Sequence, residues 1–228
     1  MDEISGEDEI IAISEDLVQS PVHKSAGTSI IDFGGYLSQP LKLREDLKNG
    51  CGGQLWPAGM VLGKHLLRQQ RNNLKDKSIV ELGAGGGLVG LAVAAGCEIN
   101  QPVWITDQRP MFQLMKDNIA LNNMEDQIQP EIYDWGSPVP FSLPRPVDVV
   151  LAADCVYFEP AFPLLQQTLQ DLIQENTVCF FCFKKRRRAD MQFMKSARRL
   201  FNIEEIENDP DREIYRRENI FLYKMTRK

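Results

Sequence analysis

Glu81-Leu82-Gly83-Ala84-Gly85-Gly86-Gly87-Leu88-Val89-Gly90 ends one apolar run, Ser78 to Leu82, and opens a second, Leu88 to about Ala95, rich in small residues. Glycines at the junction of a strand and a helix let the chain turn sharply and let a ligand approach its backbone. The next apolar run, Val103 to Thr106, is closed by Asp107. A carboxylate there, roughly 20 residues after the loop, can accept both ribose hydroxyl protons of an adenosine. The loop alone does not name the nucleoside, because Gly85, Gly87 and Gly90 also satisfy G-x-G-x-x-G, the dinucleotide pattern. Pyrophosphate needs a free helix N-terminus, whereas a methionine ammonium needs an acceptor, and Glu81 offers negative charge to the latter.

Outward from this loop, short β-branched or apolar runs alternate with helix-like stretches, the pattern of a parallel sheet covered on both faces. After Pro110, a good first helical residue, Met111, Leu114, Met115, Asn118 and Leu121 recur at helical spacing, and Ile128 to Ile132 reads as a third strand. A Pro-rich connection, residues 137–146, leads to the apolar Val147 to Ala152, a buried central strand. Pro160 to Ile173 reads as a helix, Thr177 to Phe183 as a strand and Ala189 to Leu200 as a helix. Asn202 to Ile206 and Ile220 to Tyr223 form a final antiparallel pair across a charged loop, Glu207 to Asn219. The expected fold class is α/β: a Rossmann-like, doubly wound seven-stranded sheet with a terminal antiparallel hairpin.

The 228 residues, 43% hydrophobic, suit one core. Asp2, Glu3, Glu7, Asp8, Glu9, Glu15 and Asp16 make the start acidic, so residues 1–50 read as an acidic extension and lead-in, and 51–228 as the catalytic domain. No apolar run reaches the roughly 20 residues of a membrane span, and the start lacks a secretory layout, so no membrane partner and a cytoplasmic location are expected. Five scattered cysteines form no disulfide framework. Cys179 and Cys182 are a C-x-x-C, but strand alternation sends them to opposite faces, away from a shared metal. A net charge of −6 argues against a stable nucleic-acid partner, although Lys184 to Arg188 is basic. That run is read either as a solvated strand end or as a substrate-docking patch; opposite it stand the acidic stretches Met1 to Asp16 and Glu204 to Asp211, either of which could steer a basic partner. His65 falls in a helical stretch and reads as structural, and His23 lies in the extension.

Further motifs carry a resemblance: Gly53-Gln54-Leu55-Trp56-Pro57-Ala58-Gly59, the E-x-G-x-G loop, Thr106-Asp107, Asp134-Trp135-Gly136 and Ala153-Asp154-Cys155-Val156-Tyr157. From about Gly50 to the basic run the chain resembles the family-16 seven-β-strand protein-lysine methyltransferases, whose signature after the fourth core strand is D-x-x-Y. The stretch GCGGQLWPAG, residues 50–59, and Phe183 to Arg188 look most similar to fungal methyltransferases of elongation factor 1A. The resemblance implies S-adenosyl-L-methionine as cofactor and a protein substrate, elongation factor 1A. It implies a cofactor pocket lined by Trp56, Gly83, Ala84, Gly85, Asp107, Trp135 and Ala153, to which the residue reading adds Glu81. Gly86 departs from the family, where a hydroxyl residue is frequent, and is expected to loosen the loop.

Physical arguments accompany these assignments. Trp56, before Pro57, is either a cofactor wall or a core indole. Trp135 can pack on the adenine, with Asp134 or a backbone group near its amine, and Ala153 leaves room for the sulfonium. Asp154 and Tyr157 are the catalytic candidates: the carboxylate to orient the incoming ammonium, the phenol to wall the slot. As a bland alternative, Asp154 caps the helix ahead of Pro160. The same fold also serves methyltransferases of nucleic acids or small molecules, though an adenine-methylating enzyme usually shows N-P-P-Y at this point. A nicotinamide-dependent oxidoreductase, lacking an evident Tyr-x-x-x-Lys, and a non-catalytic binding module are further alternatives.

Overall fold

A computed structural model describes residues 27–46 and 51–228. The acidic stretch at residues 1–16 and His23 lie outside the described residues. In chain order the elements are β1 (Gly27–Ile31), β2 (Leu41–Glu45), α1 (Pro57–Gln69), β3 (Ile79–Leu82), α2 (Leu88–Gly96), β4 (Val103–Asp107), α3 (Arg109–Leu121), β5 (Ile128–Ile132), β6 (Val149–Ala153), α4 (Phe162–Leu172), β7 (Val178–Lys184), α5 (Arg188–Leu200), β8 (Phe201–Glu205), α6 (Arg212–Arg217) and β9 (Ile220–Arg227).

The main sheet runs β5-β4-β3-β6-β7-β9-β8. β5, β4, β3, β6 and β7 are parallel, while β9 pairs antiparallel with both β7 and β8. The five parallel strands fall where the sequence places them; β3, β4, β6 and β7 are largely apolar, because a strand covered on both faces has no polar face to alternate, whereas β5, Ile-Gln-Pro-Glu-Ile, lies at the sheet edge. One core, beneath α1, α2 and α3, includes Leu62, Leu91, Ile105, Met115 and Cys182. The other, beneath α4 and α5, includes Val150, Leu169, Cys179, Phe181 and Phe193. Cys179 and Cys182 thus face opposite sides of β7, as alternation requires, and no metal-holding cluster occurs among the described residues. No helix of the described residues is long and apolar enough to cross a membrane.

Two features differ from the sequence expectation. The lead-in is not separate from the domain at residue 50: β1 and β2 form an antiparallel hairpin whose Leu41 and Leu43 lie in the same core as α1 and α2. Glu45 is buried and accepts hydrogen bonds from Ser29 Oγ at 2.7 Å and Leu55 N at 3.1 Å, which binds the hairpin to the start of α1. The charged loop after β8 also contains α6, and two of its acids, Asp209 and Asp211, turn inward. Asp209 Oδ2 meets buried His65 Nδ1 at 2.8 Å, and Asp211 Oδ2 meets Lys64 Nζ at 2.7 Å and Arg68 Nη2 at 2.8 Å. These two carboxylates are ion-paired to α1 and are not displayed to a basic partner. His65 is structural, as its helical setting suggested.

Candidate functional site

The chain leaves β3 toward β4 and β5, then returns to β6 on the other side of β3. Ligands of open α/β sheets bind at such a reversal, beyond the carboxyl ends of the strands. Leu82 is registered with Ala152, so the glycine loop after β3 and the Ala153-to-Tyr157 turn after β6 leave the sheet side by side.

The loop is fixed from several directions. Ala84 N donates to Thr106 O at 3.0 Å, Gly87 N to Ala84 O at 2.7 Å, and Gly85 N to Asp107 Oδ2 at 2.7 Å. Gly85 has φ +55°, and a Cβ there would sit 2.3 Å from Gly52 O, so the short helical turn Cys51–Gly53 closes over the loop and only glycine fits. Gly83 has φ +60°, and a Cβ there would lie 3.0 Å from both Cys155 Sγ and the Trp135 ring. The glycine loop, the D-x-x-Y turn and Trp135 therefore meet at one residue. Trp135 is kept there by its neighbour Gly136, whose N donates to Thr168 Oγ1 of α4 at 2.8 Å.

Asp107 ends β4 partly exposed, its Oδ1 accepting Gln108 N at 2.7 Å while Oδ2 holds Gly85 N. Burial raises its pKa above the ordinary aspartate value, two backbone N–H donors oppose that rise, and Asp134 adds to it. Glu81 is placed differently from the expectation. It is only 2% exposed and lies beneath the loop, Oε2 accepting Gly90 N at 2.7 Å in the first turn of α2. Desolvation pushes its carboxyl up to about 8. Strand alternation turns it under the loop, so it holds the loop-to-helix junction and does not face the crevice.

Gly86 does not loosen the loop. Asn118 of α3, fully buried, donates from Nδ2 to Gly86 O at 2.9 Å and to Arg44 O at 3.2 Å, while its Oδ1 accepts Arg44 N at 2.8 Å. A Cβ at Gly86 would come within 2.9 Å of that Nδ2. Asn118 thus ties hairpin and glycine loop together. In the sequence it was visible only as one member of a helical stripe; a lone polar residue on an otherwise apolar face was the available signal.

Asp154 follows β6 with φ +53°, a left-handed backbone that costs an aspartate less than most residues. It caps no helix: the residues before the turn Glu159–Ala161 and before α4 are Phe158 and Ala161. Its side chain is 3% exposed, with Oδ1 accepting Lys184 N at 2.9 Å and Arg186 Nη1 at 3.0 Å, and Oδ2 accepting Arg186 Nη2 at 3.2 Å. Tyr157 is half-buried, and its carbonyl oxygen accepts from Arg187 Nη2. The basic run is therefore split: Arg186 and Arg187 turn inward to the D-x-x-Y turn, while Lys185 and Arg188 are exposed. Trp56, half-buried, stands just before α1 with the Arg186 guanidinium 4.9 Å from its ring centroid. Two cavities of about 430 and 340 Å³ lie elsewhere, and neither is lined by any of these residues.

Known proteins similar to the chain include methyltransferases. Residues 37–200 match the lysine methyltransferase family. Protein-lysine N-methyltransferase EFM6 of Saccharomyces cerevisiae is 35% identical, with 93% of this chain and 96% of that protein covered. Protein N-lysine methyltransferase METTL21A of Danio rerio is 32% identical over 77% of this chain and 80% of its own. In fold, the chain is similar to the rRNA methyltransferase RsmC of T. thermophilus, solved with S-adenosylmethionine and guanosine, with a TM-score of 0.57 at 12% identity over 92% of this chain and 52% of that one. The chain belongs to the lysine methyltransferase family and is a protein-lysine methyltransferase dependent on S-adenosyl-L-methionine.

Proposed function

We propose that this enzyme methylates a lysine of elongation factor 1A in the cytoplasm, with the crevice between the β3 and β6 ends as its active site. The observation that supports the site is the convergence at Gly83, where cofactor loop, Trp135 and the D-x-x-Y turn share one contact. The substrate is argued from residues 50–59 and 183–188, whose look is that of fungal elongation-factor methyltransferases. Trp56, Gly83, Ala84, Gly85, Asp107, Trp135 and Ala153 form the cofactor wall, and Glu81 supports it from beneath. Asp107 and the backbone of the loop suit a nucleoside: one carboxylate stands partly exposed at a strand end beside backbone donors that favour its charged form.

S-adenosyl-L-methionine supplies an activated methyl group and a good leaving group, so the protein's task is to aim a neutral amine in line with it. A free lysine has a pKa of about 10.4, and a desolvated slot favours its neutral form. Both Asp154 oxygens already accept hydrogen bonds from Lys184 N and Arg186, and the role the resemblance gives this residue is to orient the amine. Tyr157 walls the slot. Purified unmethylated elongation factor 1A, incubated with labelled cofactor, should acquire label on lysine. Asp154→Ala should slow single-turnover transfer more than Tyr157→Phe, because it removes a charge-bearing anchor and not one hydroxyl, with cofactor affinity nearly unchanged in both. No labelling of elongation factor 1A by active enzyme rejects the substrate; wild-type rates in Asp154→Ala reject the slot.

A further inference from the structure

The basic run was expected to be either solvated or a docking patch, and Arg186 is neither. Its backbone N donates to Asp190 Oδ2 at 2.7 Å, a carboxylate with no exposed surface in the first turn of α5. Its guanidinium then reaches two segments far apart in the chain. On one side it forks onto both oxygens of Asp154, with Nη1 also donating to Lys184 O at 3.2 Å. On the other it lies 4.9 Å from the centroid of Trp56.

We infer that Arg186 is a positioning residue for methyl transfer: by clamping the Asp154 turn to Trp56, it holds the acceptor slot in register with the cofactor wall. This rests on the reading of those two segments as slot and wall. Three physical points carry it. A carboxylate this deeply covered is costly without a partner, so the guanidinium offsets that cost and, with the bonds Asp154 N to Cys182 O at 2.8 Å and Lys184 N to Asp154 Oδ1 at 2.9 Å, steadies the left-handed Asp154 turn. The planar fork serves two oxygens at once and still offers a face to an indole, which an ammonium does not. The anchor on Asp190 fixes the arginine's own backbone, so the clamp is referred to α5 and not to a free loop. Trp56 stands just before α1 and is not part of the sheet, so this ring contact is a tie between the Trp56 segment and the far end of β7.

Arg186→Lys keeps a positive charge beside Asp154 and preserves the fold, while removing the fork and the flat face. At saturating cofactor, its kcat for unmethylated elongation factor 1A should fall about tenfold to a hundredfold, as expected for a misplaced reacting pair, with little change in KM for the protein. Trp56→Leu leaves the ion pair intact. Measured by calorimetry with S-adenosylhomocysteine, the affinity losses of Arg186→Lys and Trp56→Leu should be non-additive in the double variant, because each breaks the same tie. A wild-type kcat in Arg186→Lys overturns the inference, as does a lowered Tm with kcat unchanged, or a change confined to KM, which would make Arg186 a docking residue. Strict additivity in the cofactor cycle also overturns it. That cycle does not involve the acceptor, so it decides the clamp even if Asp154→Ala and Tyr157→Phe show that the slot lies elsewhere.

Discussion

Glu81 is a buried acid whose main neighbour is a peptide N–H, and burial holds its carboxyl at about 8. The folded protein therefore keeps a proton that the unfolded chain releases near 4.5. This contribution to stability is fully present below the unfolded value and is lost as pH rises through about 8. Glu81→Gln keeps the acceptor for Gly90 N and removes the titration, so urea midpoints of the variant should stay flatter between pH 5 and 8, where wild type declines by up to a few kcal/mol. Parallel curves for the two proteins would reject a raised pKa at this position. Asp107 makes a different prediction. It binds loop and neighbouring backbone through separate oxygens, so Asp107→Ala removes a ribose acceptor and slackens Gly85 together. Calorimetry should show cofactor binding weaker by roughly 1.5–3 kcal/mol, the range for hydrogen bonds to a charged group, in a protein that still folds. Unchanged affinity would take Asp107 out of the site. The place of Asp107 was legible from the sequence because it is a local one, the end of the strand after the loop. The partner of Asp154 was not: Arg186 is 32 residues away, and only the adjacency of β6 and β7 brings it there.

Among the elements, the β1–β2 hairpin was missed while the core strands were found, for a physical reason. β3, β6 and β7 are buried on both faces and announce themselves as apolar runs, broken in β3 only by Glu81. β2 reads Leu-Lys-Leu-Arg-Glu, too short for its alternation to stand out, and its burial exists because α3 and α2 lie against it. α6 was hidden likewise: six residues with no buried side chain, held through contacts to β9 and the bond from Arg212 Nε to Glu205 Oε1 at 3.1 Å. The hairpin matters to the site through Asn118, whose amide joins Arg44 to Gly86. Asn118→Ala leaves backbone groups on both segments without partners. At about 1–3 kcal/mol for a buried group left unsatisfied, it should lower unfolding stability by about 2–4 kcal/mol and weaken cofactor binding as well. If stability falls but cofactor affinity does not, the hairpin supports the fold without supporting the loop.

For the molecule as a whole, seven strands close around a single reversal point, and most of that plan was legible because parallel strands, crossover helices and the final antiparallel pair each leave their own pattern. What was not legible is how the acceptor side is braced. β9 comes last of the described strands in the chain yet lies between β7 and β8, pairing Ile220 with Lys184 at the very end of β7, while Lys185 N donates to Asn219 O. This insertion has a consequence during biosynthesis. As the chain emerges from the ribosome, the parallel strands can assemble in order, but the outer edge of Val178–Lys184, with its three phenylalanines, has no strand to cover it until residues 220–227 have been made. An uncovered apolar strand edge invites pairing with other chains. Lys185 and Arg188, exposed just after β7, set positive charge beside that edge, so like-charge repulsion between nascent chains opposes such pairing until its own partner arrives.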